Sequence, residues 1–84
     1  MNVLLTFGTF ADVFSCEKAV RAAGMSCRAV PVPRSLDASC DFAAEIRDLG
    51  EEDVFAVLEL LKKKGLRYTR LFRSMTADSG DEVY

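Results

Sequence analysis

The sequence contains no histidine, and that single absence removes several kinds of chemistry. A Cys-His or Ser-His dyad has no imidazole to draw on, and a zinc site would have to be assembled from three distant thiolates and a carboxylate. No metal is expected. The cysteines Cys16, Cys27 and Cys40 are odd in number and stand eleven and thirteen residues apart, which fits neither a disulfide framework nor a CxxC clip. GxGxxG, the P-loop, GxSxG and HExxH are all missing, so no motif calls for a nucleotide or another cofactor.

Long apolar runs are missing too. The opening Met1-Asn2-Val3-Leu4-Leu5 has no basic flank and its apolar stretch ends by Phe7, too short for a signal peptide or a membrane span. The expectation is a cytoplasmic protein with no membrane partner. Nor is there an excess of basic charge. A formal net charge of -2 offers no field for phosphate backbones, and nucleic acid is not an expected partner.

What is present is the composition of one small globular domain: 84 residues, half of them hydrophobic and 29% charged. Val3 to Phe7 is a β-rich apolar run without alternation, closed by Gly8, and reads as a central strand over 3–7. With Thr9 or Asp12 as N-cap, Val13, Cys16, Val20 and Ala23 recur at helical spacing while Glu17, Lys18 and Arg21 take the other face. This predicts a helix over 11–23, stopped by Gly24. Residues 26–32 suit a strand, and Pro31 confines it to an edge. Pro33 to Ser39 is rich in turn formers and reads as a loop. A third strand is expected over 41–47, with Phe42, Ala44 and Ile46 on one side. Residues 51–64 carry Val54, Val57, Leu58 and Leu61 on one stripe, acids in the first turn and Lys62-Lys63-Lys64 in the last, which predicts the second helix. Gly65 ends it, and a fourth strand follows over 66–73. The division is one domain over 1–75 and a small, acidic, flexible tail over 76–84.

The order β-α-β-β-α-β buries both helical stripes most economically as an α+β ferredoxin-like sandwich, two helices on one face of a four-stranded antiparallel sheet. In that topology the first and third strands are central and antiparallel, which brings Gly8 and Thr9 close to Cys40. Cys40 leaves a turn-rich loop beside Ser39 and Asp41 and faces the start of the first helix. Free amides there, with Arg34 from the same loop, would stabilise a thiolate, although the Asp41 carboxylate would oppose it. Cys16 and Cys27 fall at apolar positions of the first helix and second strand and are expected in the core.

Pro31-Val32-Pro33-Arg34, then Ser39-Cys40, then an alternating strand and a long acidic-to-basic helix resemble the small bacterial Se/S carrier protein-like domains. Cys16-Glu17-Lys18 matches a further stretch, and the similarity runs from about Val3 to Phe72. One departure is Asp41, where the family usually has glycine. The resemblance implies that Cys40 carries sulfur or selenium as a persulfide or selenosulfide; topology expects Gly8 and Thr9 beside it, and the loop supplies Arg34 and Ser39. The first function read from this is a carrier rather than a turnover enzyme, loaded by a donor such as a cysteine desulfurase and emptied by an acceptor enzyme. The competing reading is a ligand-binding or protein-interaction regulatory module on the same fold, as a monomer or weak homodimer pairing through a sheet edge.

Overall fold

The computed structural model describes residues 1–37, 41–76 and 82–83. Its elements are β1 (Val3–Phe7), α1 (Phe10–Ala22), β2 (Cys27–Pro31), β3 (Phe42–Ile46), α2 (Glu51–Lys63) and β4 (Tyr68–Arg73), then two-residue strands β5 (Met75–Thr76) and β6 (Glu82–Val83). The main sheet has the order β2-β3-β1-β4 with every neighbouring pair antiparallel. This is the ferredoxin-like arrangement expected from the element order. β5 and β6 form a separate antiparallel ladder within the stretch whose composition reads as a tail; two residues are too few for a strand period to register. Residues 77–81 and 84 lie outside the described residues.

The helix ends follow from local chemistry. Thr9 caps α1, its Oγ1 accepting the Asp12 N–H at 3.3 Å, and so settles the choice between Thr9 and Asp12. At α2 the Asp53 carboxylate accepts the Gly50 N–H at 2.8 Å. Both helices end in a Schellman turn: Met25 N–H donates to the Val20 carbonyl and Leu66 N–H to that of Leu61, around Gly24 at φ +86° and Gly65 at φ +71°. Any side chain at those two positions would meet the left-handed steric penalty.

All five residues of β1 are buried, because both faces of this central strand are covered. On one face Val3, Leu5 and Phe7 join Val13, Cys16 and Val20 of α1 and Val54, Val57 and Leu61 of α2 in the main core. On the other, Leu4, Val32 and Ala43 form a smaller cluster against which Val30, Leu36 and Phe72 pack. The β2–β3 loop supplies Leu36 to this second layer, and the buried Asp37 follows it, its carboxylate 3.9 Å from Arg70 of β4. A register shift lies between Thr6 and Phe7 in the β1–β4 pairing. There the buried Thr6 hydroxyl stands 2.7 Å from the Thr69 hydroxyl and accepts the Arg70 N–H at 3.0 Å.

The edge of β2 is closed by α1. Glu17 Oε2 accepts the Ala29 N–H at 2.8 Å, Arg21 Nε donates to the Cys27 carbonyl at 2.9 Å, and the two side chains stand 3.7 Å apart as an i,i+4 ion pair. Ala29 and Cys27 share the strand parity that faces away from β3, since Val32, of the other parity, donates to the Asp41 carbonyl at 3.0 Å. With Pro31 lacking an N–H, this edge is blunted twice over.

Candidate functional site

Because β1 and β3 are adjacent and antiparallel, with Thr6 opposite Ala43, the exit of β1 meets the entrance of β3. A cavity of about 320 Å³ opens there, lined by Phe7, Gly8, Thr9, Phe10, Val13, Asp41 and Phe42. Its floor is apolar and its rim is the first turn of α1. Thr9 Oγ1 satisfies the Asp12 amide, and the preceding first-turn amides point out of the helix, as at any helix start, where they favour an anion. A Cβ built on Gly8 meets nothing within 4 Å, so the backbone borders open space.

Gly8 and Thr9 line this cavity together with Asp41, the residue after Cys40 in the chain. Cys40 and Ser39 themselves lie outside the described residues. Arg34 is exposed on the turn that follows Pro33 and does not line the cavity. That turn is closed by the Leu36 N–H donating to the Pro33 carbonyl at 2.9 Å.

Cys16 and Cys27 are both free thiols, 0% and 2% exposed, as their periodic positions predict. The interaction with the neighbouring Cys27 thiol, together with burial, pushes Cys16 far above the ordinary thiol range, while the same interaction pulls Cys27 down. Cys16 keeps its proton, and neither thiol is presented to solvent.

Sequence reasoning missed the aromatic residues at the cavity mouth. Phe10 and Phe14 meet edge to face with ring centroids 4.6 Å apart, and Phe10 meets Phe42 at 5.0 Å. All three are exposed, at 48%, 51% and 39%. The signal was the i,i+4 spacing of Phe10 and Phe14 off the stripe set by Val13, Cys16 and Val20. Among the described residues, no group of three or more cysteine or acidic side chains could hold a metal ion, and no helix is long and apolar enough to cross a membrane.

Fold and cavity together define a ferredoxin-like domain with a recess at the start of its first helix. Residues 2–73 match the family model described as "Putative Se/S carrier protein-like", and the chain belongs to that family. No curated protein and no solved structure matches it.

Proposed function

We propose that this protein carries sulfur or selenium on Cys40 and hands it to a partner enzyme. The observation that carries the reading is the convergence of Gly8, Thr9 and Asp41, the neighbour of Cys40 in the chain, on one cavity at the α1 N-terminus, while the other two thiols are buried. In the loading step the Cys40 thiolate attacks the outer sulfur of a donor persulfide. A new S–S bond forms on Cys40, the donor's S–S bond breaks, and the donor leaves as its thiolate. No net oxidation is needed. The first-turn amides of α1 favour the anionic form of both the thiol and the persulfide, and Arg34 adds positive charge from the same loop. Delivery is the same exchange with the acceptor thiolate as attacker. Donor and acceptor are thus a cysteine desulfurase or similar enzyme and a thiol-bearing acceptor enzyme.

The test is loading by a purified cysteine desulfurase with cysteine, read by intact-mass spectrometry. One added sulfur atom is expected on the native chain and none on Cys40→Ser, while Cys16→Ala and Cys27→Ala load normally. Equal loading with serine at position 40 overturns the reading. A second reading, an interaction module without chalcogen chemistry, is favoured by the exposed Phe10, Phe14 and Phe42. It predicts no mass increase under any donor.

A further inference from the structure

The cations of this chain are not evenly spread. Lys62, Lys63, Lys64, Arg67, Arg70 and Arg73 are six of its eleven, and no acid occurs from Leu60 to Thr76; the remainder holds all thirteen acids against five cations. The net charge of -2 therefore conceals a segment of +6 beside a remainder of -8. That segment is the end of α2, the turn after it and the whole of β4. Among the described residues, Arg70 alone of the six has an ion-pair partner, Asp37 at 3.9 Å.

β4 is also a terminal strand of the sheet. Arg70 donates inward to Thr6 and Ser74 inward to the Asn2 carbonyl at 2.8 Å, so the alternation of an antiparallel ladder turns the backbone groups of Leu71 and Arg73 outward. Among the described residues nothing pairs with them. The opposite edge, β2, is closed by Glu17, Arg21 and Pro31. Among the described residues, one edge is guarded and the other is open and cationic. Where Tyr68 begins the open edge, a cleft of about 540 Å³ lies between it and the end of α2, lined in part by Leu58, Lys62, Leu66 and Arg67.

We propose that the outer edge of β4 is a docking edge for an extended, acidic segment of a partner protein, added as a fifth strand. Main-chain hydrogen bonds from Leu71 and Arg73 would supply register, and carboxylates on alternate residues, which share one face of the added strand, would meet the arginine side chains on that face. The charge argues against a second copy in this place, because two β4 edges would bring six cations against six. The outward main-chain groups argue for an extended peptide over a nucleic acid strand, which cannot use a sheet ladder. This inference does not depend on Cys40.

The experiment is a titration of the ¹⁵N-labelled full chain with a capped eight-residue peptide of alternating glutamate and valine. The Leu71 and Arg73 amides should show the largest shifts, and a lysine-valine peptide of equal length should leave them in place. The double variant Arg67→Glu with Arg73→Glu should weaken binding about tenfold, as expected for reversing two exposed ion pairs. Should that variant fail to fold, a glutamate-valine peptide N-methylated at alternate residues along one edge tests the same point on the native protein, and should not bind. Largest shifts on β2 or around Phe10, unchanged affinity for the reversed variant, or tight binding of the methylated peptide would each overturn the proposal. So would an oligouridylate that moves the β4 signals when the acidic peptide does not.

Discussion

Replacing Thr6 by valine removes one oxygen from the centre of the molecule and almost nothing else. The side chain is 0% exposed, keeps its β-branched shape on substitution, and sits at the register shift between β1 and β4. Its hydroxyl accepts the Arg70 N–H at 3.0 Å and stands 2.7 Å from the Thr69 hydroxyl. Thr69 is exposed and turns to water. The Arg70 N–H points into the sheet and cannot, so an inward-facing donor is stranded at a cost of about 1–3 kcal/mol. For a domain of this size about 2 kcal/mol corresponds to a fall in Tm of about 8–16 °C. Thermal unfolding followed by circular dichroism measures it, with urea unfolding as a check that the m-value is unchanged. Thr69→Val should cost less, and the double variant should cost less than the sum, because the two hydroxyls share one bond. Thr6→Ser should recover most of the loss. A change in Tm under about 2 °C for Thr6→Val would mean that this hydroxyl does not hold the bulge, and the account of how the end of β1 is fixed beside the cavity would fall with it.

Alkylation under native conditions followed by peptide mapping should label Cys40 and spare Cys16 and Cys27, whose exposures are 0% and 2%; faster labelling of either buried thiol would reverse the assignment of the working cysteine. Gly8→Ala should leave stability unchanged or raise it by about 0.4–1 kcal/mol by restricting the unfolded chain, since a Cβ there meets nothing within 4 Å and the backbone is outside the left-handed region. The same variant should slow sulfur loading by narrowing the cavity, and a drop in Tm with normal loading would count against the placement of the site.

The element order was legible because each signal was local. β1 announced itself as an unbroken apolar run, Gly24 and Gly65 marked both helix ends, and the stripe Val54, Val57 and Leu61 is buried as its spacing required. The neighbouring of β1 and β3 was expected from topology and is seen; the expectation that Gly8 and Thr9 lie near Cys40 falls outside the described residues, which show only its chain neighbour Asp41 on their cavity. What escaped the sequence depends on packing between distant segments. Glu17 and Arg21 read as the solvated face of a helix, and only the approach of β2 turns them into partners for its backbone. Leu36 sits among turn formers, where no period marks it as apolar cover for the second face of the sheet. Phe10 and Phe14 meet within α1, but Phe42 comes from β3 and reaches Phe10 only after β1 and β3 pair.

On the proposed reading, the burial of Cys16 and Cys27 has a chemical consequence beyond packing. A persulfide on Cys40 has two sulfurs open to attack. Attack at the outer one passes sulfur onward, whereas attack at the inner one by another thiolate forms a disulfide and expels hydrosulfide, so the cargo is lost. A carrier with three cysteines therefore needs two of them kept from reacting. The fold does this chiefly by position: both thiols lie in the main core between α1 and β2. Charge state guards Cys16 alone, which its Cys27 neighbour and burial keep protonated, whereas the same neighbour lowers Cys27, so burial is what keeps Cys27 idle. Presenting either of them to solvent would require α1 to part from the sheet, which means exposing Val13 and Val20, at 1% and 0% exposure, and giving up the Glu17 and Arg21 bonds to β2. On this reading the barrier against self-discharge is the stability of the domain itself, and the side chains that close the β2 edge also help keep the two idle thiols in the core.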